Sequence, residues 1–263
     1  MPKTEVFQDI TMIALPGGTF MMGHDYTPDP SLSDKVNAFY PDEQPVHKVS
    51  VKPLQMGRTQ VTQGQYKKIM DDNPSTFTES DDLPVTNLGP AEIIKFCNKL
   101  SQQEGLTPCY IEKTRECDFS KNGFRMPTEA EWEYACRAGT TTLFYTGNTE
   151  KDLDRAGWYL GNSGGKTHPV ARKEPNAWGL YDMHGNVFEY TNDDWIPAMC
   201  YGRYLPEGAV KVFNYYHSLN MTRGGGWFSE PSECRSATRA CFCSWANIYQ
   251  SYYMGFRIAR SIV

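Results

Sequence analysis

No run of about 18 apolar residues occurs anywhere in the chain, so no single helix of it is suited to span a bilayer. The opening, MPKTEVFQDI, lacks the basic-then-apolar order of a secretory signal. Positive charge is not in excess either: 26 Lys and Arg against 31 Asp and Glu leave a formal charge of −5. A surface of that sign does not neutralise phosphates, which excludes nucleic acid as the expected partner. Cysteine is sparse. The eight in 263 residues (Cys97, Cys109, Cys117, Cys136, Cys200, Cys234, Cys241 and Cys243) are irregularly spaced and include no CxxC pair, which excludes a disulfide scaffold. His24, His47, His168, His184 and His217 show no HExxH or other metal-ligand spacing, and neither a GxSxG elbow nor a P-loop is present. Internal repeats and low-complexity tracts are missing too.

What is present suits one large core: 40% hydrophobic and 13% aromatic residues in a chain long enough for a single domain, expected over 1–263. MIALPGGTFMMG at 12–23 has two apolar runs around Pro-Gly-Gly, a hairpin signal. A long polar loop over 24–45 and a strand over 46–56 follow from composition and alternation. Thr62 with Gln65, and Thr128 with Glu131, form capping-box patterns that predict helices beginning there. Pro90 ahead of Ile93, Phe96, Cys97 and Leu100 predicts another, ending near Gly105. The helix stopping at Gly139 is expected to be the shortest. Beyond Gly157, periodicity fades into short Gly-, Asn-, Tyr- and Trp-bearing segments, the pattern of long ordered loops.

GFRMPTEAEWEYACRAGT at 123–140 and NAWGLYDMHGNVFEY at 176–190 closely resemble the sulfatase-modifying-factor family, whose founding activity is formylglycine generation. PGGTFMMG at 16–23, QPVHKVSVKPLQMGRTQVTQGQY at 44–66, RGGGW at 223–227, CRSATR at 234–239 and GFRIA at 255–259 keep the family's order, from Pro16 to Ile262. The resemblance implies an α+β chain with the C-type-lectin fold of the formylglycine-generating-enzyme type and much irregular structure. A fold does not fix a function, and Trp132, Trp178 and Trp227 are read as core.

In the family's oxidases, two cysteines follow the RGG motif at fixed spacing and carry its copper and thiol chemistry. Counted from Arg223, the first position is Ser229 and the second Cys234. A serine hydroxyl ionises far above a thiol and is a poor ligand for soft Cu(I), so it does not replace the missing thiolate. Cys234 is then a packed remnant. Cys241 and Cys243 would share one face of a strand, but no further ligand completes a zinc site and a packing or free-thiol role is expected.

The segment ACFCSWANIYQSYYMGFR, from Ala240, mixes Tyr, Ser, Asn, Phe and Cys without period, a composition that binding loops use; an irregular aromatic core segment is the other reading. Some members of this fold, the treponemal type among them, are variable proteins of diversity-generating retroelements, in which adenines of asparagine codons are randomised. Such codons reach Ala, Cys, Phe, Asn, Ile, Tyr and Ser but not Trp, Gln, Glu or Met. Ala240, Cys241, Phe242, Cys243, Asn247, Ile248, Tyr249, Ser251, Tyr252 and Tyr253 all satisfy the rule, whereas Trp245, Gln250, Met254, Glu230 and Glu233 would be fixed. The resemblance therefore implies a noncatalytic receptor- or adhesin-like protein with a variable ligand-binding region at about 223–258, its invariant strands at RGGGW and GFRIA. The expected partner is a protein or a glycan. Display on a bacterial surface is implied as well, as an exported or lipidated protein whose leader is absent from this chain. An oxidase of the formylglycine-generating type and an adaptor for one fixed partner are the alternatives.

No cofactor follows from the residues themselves. The resemblance implies a structural calcium held by Asp182, Gly185, Val187 and Glu189, hard oxygen donors in YDMHGNVFEY. The alternative is that Asp182 and Glu189 only hydrogen-bond the local turn. The family's second calcium position has Asn162 where Asp is usual.

Overall fold

The computed structural model describes residues 3–25, 29, 32–37, 41–194, 219–243 and 252–262. Five strands open the chain: β1 Thr4–Phe7, β2 Ile10–Leu15, β3 Gly18–Met22, β4 His47–Val51 and β5 Leu54–Gly57. Helices α1 Gln63–Met70 and α2 Pro90–Gln103 come next, then β6 Tyr110–Ile111, β7 Glu116–Cys117 and β8 Phe124–Arg125. Helices α3 Glu129–Arg137 and α4 Glu150–Ala156 lead to β9 Gly157–Trp158, β10 His184–Gly185 and β11 Phe188–Asp194. The chain closes with β12 Leu219–Arg223, β13 Arg239–Cys243, β14 Met254–Gly255 and β15 Ala259–Ser261.

Local chemistry accounts for the helix starts. Thr62 accepts the amide of Gln65 while the Gln65 side chain returns to the amide of Thr62, and Thr128 and Glu131 do the same for α3. The expectation that α3 is the shortest helix is corrected: it has 9 residues against 8 in α1 and 7 in α4. Helix α4 was not anticipated, because its box pairs Thr149 with Asp152 and only Leu153 and Ala156 face inward.

The expected hairpin over 12–23 does not form. Strand β2 pairs with β1 and β5, while β3 leaves after Pro16 to pair with β4. The single strand expected over 46–56 is broken at Lys52-Pro53, where the ring of Pro53 meets Gly17 so closely that a β-carbon there would stand 2.6 Å away. A five-stranded antiparallel sheet results, in the order β1-β2-β5-β15-β8, so the beginning and end of the chain meet in one layer. A second sheet has the order β13-β12-β11-β14, with β11 and β14 parallel. RGGGW and GFRIA are strand only in part: Arg223 ends β12, Gly255 ends β14, and 256–258 cross as irregular backbone to β15.

Helix α3 sits against the second sheet and carries its ionic anchor. Glu133 binds Arg137 at 2.8 Å and Arg223 at 2.6 Å, and Glu129 binds Arg239 at 2.6 Å. Burial alone would raise the Glu129 carboxyl; Arg239 and Arg223 overcome this and hold it low. Thus the facing ends of β12 and β13, at Arg223 and Arg239, are fixed to α3 through charge-assisted hydrogen bonds.

Asp193 adds a pH-dependent element. Its Oδ2 accepts the amide of Glu129 at 2.5 Å, and burial, reinforced by Glu129 and Glu131 and opposed by Arg239, pushes its carboxyl up to about 7. A raised carboxyl contributes stability that is complete below the unfolded value of about 3.9 and is lost as pH rises through about 7. Asp193→Asn keeps an acceptor and removes the titration. Urea unfolding should therefore show the variant gaining on wild type between pH 5 and pH 8; a gap that does not change with pH refutes this assignment.

Candidate functional site

Strand β13 is an edge of its sheet among the described residues, paired with β12 from Leu219↔Cys243 to Arg223↔Arg239. The expected variable positions Ala240, Cys241, Phe242 and Cys243 thus belong to a hydrogen-bonded strand. Ala240 is half-buried and packs on the core. The side chains of 241–243, and Asn247, Ile248, Tyr249 and Ser251 altogether, lie outside the described residues. Tyr252 is on the surface, 36% exposed. Tyr253, expected on the displayed face, is instead buried. Its ring lies 4.4 Å from Phe228 and 6.4 Å from Phe188, where it removes apolar area from water.

Tyr252 joins an aromatic shelf that sequence reasoning did not assemble. Trp227 stands 6.1 Å from Tyr252 and 6.0 Å from Phe77, with Phe228 at 5.4 Å on its other side. The indole Nε1 of Trp227 is buried and has no hydrogen-bond partner among the described residues. Trp227, expected in the core, is half-buried and packs against it; Phe77, 150 positions away in sequence, carries no local signal. Rigid aromatic side chains such as the exposed Tyr252 are groups that recognition surfaces favour.

The position of the oxidases' cysteine pair is closed. Ser229 is wholly buried; its Oγ accepts the amide of Gly226 at 3.1 Å, and its carbonyl accepts the amide of Leu160 at 3.0 Å. Cys234 is buried in a cluster with Val36, Phe144, Leu153 and Tyr159, and burial pushes its thiol well above the ordinary range. His184 does not activate it. The His184 Nε2 accepts the amide of Tyr145 at 3.1 Å, which leaves Nδ1–H to donate to the Cys234 carbonyl at 2.7 Å. Burial lowers that imidazole to about 3, so it stays neutral. Neither side chain offers a thiolate or a base.

The four residues implied for calcium do converge. The carbonyl oxygens of Asp182, Gly185 and Val187 and the Oε1 of Glu189 all lie within 3.0–3.3 Å of Gln60 Nε2. Asp182 and Gly185 achieve this with left-handed backbone, φ +57° and +84°. The Asp182 Oδ2 accepts the amide of Ala171, while Oδ1 is buried without a partner; burial pushes this carboxyl up to about 6. Three gathered carbonyls and the Glu189 carboxylate, together with the unpartnered Asp182 Oδ1, are hard oxygen donors that fit a divalent cation, for which Asp182, Gly185, Val187 and Glu189 would be the ligands. The local-turn reading of Glu189 needs correction, since its partners are distant: Arg257 takes both oxygens at 2.6 and 2.7 Å, and Trp132 Nε1 donates at 2.7 Å. Asn162 instead braces the α4–β9 junction, with its amide on Asp154 and on the Gly157 carbonyl.

Comparison with known proteins bears on the family and the fold. The model of the sulfatase-modifying factor enzyme 1-like domain matches residues 1–262. The chaperone protein LppX of Paenibacillus barcinonensis is 28% identical, over 86% of this chain and 81% of its own. The formylglycine-generating enzyme of Mycobacterium tuberculosis is 26% identical, over 71% and 75%. Among solved structures, Treponema denticola variable protein 1 superposes with a TM-score of 0.79 at 29% identity, covering 99% of each chain. PvdO from Pseudomonas aeruginosa does so with 0.74 at 25%, covering 100% of this chain and 99% of its own. The fold is therefore α+β and C-type-lectin-like, and the chain belongs to the sulfatase-modifying-factor family.

Proposed function

We propose that this chain is a noncatalytic ligand-binding protein that presents its C-terminal segment, with the shelf of Trp227, Phe77 and Tyr252, to a protein or glycan. The observation that carries the proposal is the buried pair Ser229 and Cys234 where the family's oxidases place two reactive thiols. Likeness to the Treponema variable protein supports diversification of positions 240–243, 247–249, 251 and 252. Tyr253 is left out because its ring is buried, whereas Ala240 is only half-buried at the edge of the core. Anchoring Arg223 and Arg239 on α3 would let the strand ends hold still while displayed side chains change, which lowers the ordering cost of binding. Display at a bacterial surface belongs to the same proposal.

Sequencing the C-terminal codons from many cells of one population tests it. Variation confined to the named codons, with RGGGW and GFRIA constant, is the expected result; invariance, or variation spread across the frame, overturns diversification. A module for one fixed protein partner is the second reading, favoured by the chaperone name of the Paenibacillus relative. The oxidase reading makes a separate prediction, since it requires tight Cu(I) binding and turnover of a cysteine-containing peptide. Neither is expected here, and finding both would return the chain to the oxidases.

A further inference from the structure

The gathering of four oxygens on one amide nitrogen is more than the hydrogen atoms of that amide can satisfy. A glutamine NH2 carries two protons, yet Gln60 Nε2 faces Asp182 O at 3.2 Å, Gly185 O at 3.3 Å, Val187 O at 3.0 Å and Glu189 Oε1 at 3.1 Å. Two of those oxygens face it without a proton between. The other end of the same amide is equally mismatched, because Gln60 Oε1 is buried with no partner. The two ends are nearly isosteric, and a half-turn about the terminal side-chain bond exchanges them without disturbing the packing. Oxygens bound to one calcium at about 2.4 Å stand roughly 3–3.5 Å from one another. The spacing around the Gln60 terminal atom falls in that range.

We propose that Gln60 is a fifth member of this cation cage and that its amide turns with occupancy. Without the ion, NH2 points into the oxygens and holds them together. With the ion bound, Oε1 takes that place as a neutral ligand. The chain thereby keeps the Asp182–Glu189 turn assembled in both states, with Arg257 balancing Glu189. This inference does not depend on what the C-terminal face binds.

Terbium luminescence provides the test, because the Trp132 indole, bound to Glu189 at 2.7 Å, is placed to sensitise an ion in the cage. Wild type should give saturable emission that calcium displaces. Gln60→Ala should weaken binding at least tenfold. Gln60→Glu should tighten it at least tenfold and make the melting temperature depend on calcium more strongly than in wild type, since a third carboxylate then needs the ion. If Gln60→Ala does not fold, Gln60→Glu decides alone. Absence of sensitised emission from wild type, equal affinities for wild type and Gln60→Ala, or a Gln60→Glu that binds no tighter each overturns the proposal.

Discussion

Glu133→Ala is expected to lose about 3–5 kcal/mol of stability in urea unfolding at pH 7, the range for breaking a buried ion pair by removing one partner. Glu133 is wholly buried, and both its oxygens are engaged. Oε1 accepts Arg137 Nε at 2.8 Å and the amide of Gly23 at 2.9 Å, and Oε2 accepts Arg223 Nη2 at 2.6 Å. Alanine would leave two guanidiniums facing a void, with partial compensation from Glu129, 3.2 Å from Arg223 Nε, and from the carbonyls that accept from Arg223 Nη1 and from Arg137. Glu133→Gln should lose less, since an amide oxygen can still accept. The damage should reach the candidate binding face, because Arg223 ends β12 and β13 pairs along it. Faster hydrogen exchange in β12 and β13 is the accompanying expectation. A loss below about 1 kcal/mol would mean that the ionic block does not anchor this sheet.

Gly157→Ala should be nearly as costly for a different reason. The parallel contact of β9 and β10 brings the chain so close that a β-carbon at 157 would stand 1.7 Å from the His184 carbonyl oxygen and 2.6 Å from its carbon. Those are backbone atoms, which cannot turn aside as a side chain can. The strands must part, and with them goes the bond from the Asn186 amide to the Trp158 carbonyl, 2.7 Å long, next to the gathered carbonyls of Gly185 and Val187. We expect a loss of about 3 kcal/mol, the upper end of ordinary overpacking, and a melting temperature lower by about 6–12 °C. Gly164→Ala is the control. A β-carbon there meets nothing within 4 Å, so only its left-handed backbone, φ +64°, is strained, at about 1–2 kcal/mol. Equal effects at 157 and 164 would show that the close approach is not rigid.

Much of the scaffold was legible from residues a few positions apart. The capping pairs Thr62–Gln65 and Thr128–Glu131 each join side chain and backbone across one turn, so their meaning survives in any tertiary setting. The family resemblance, counted from Arg223, likewise assigned the oxidases' two cysteine positions to Ser229 and Cys234, and a serine in place of a cysteine is a fact of covalent chemistry. The family motifs carried the fold class for the same reason: they are long, ordered and local. Where a local signal was ambiguous, the reading failed. Pro16-Gly17-Gly18 looks like a hairpin turn, yet strand partners are chosen by distant burial, and β3 is claimed by β4.

The rest was decided by side chains that meet only when the chain is packed. Gln60 lies more than 120 residues before the oxygens it touches, and Arg257 lies 68 residues from Glu189, so neither pairing leaves a mark on neighbouring sequence. Composition alone could not separate Tyr252 from Tyr253, although one is exposed and the other fills the space beside Phe228. The sequence by itself determined the helix caps, the family frame and the absence of a thiol pair, because these depend on residue type and short spacing. Tertiary structure alone decided which oxygens surround one point, which carboxylates are buried against arginines and which aromatics face outward. Burial and close approach depend on the whole packed chain, and no short window of residues contains them.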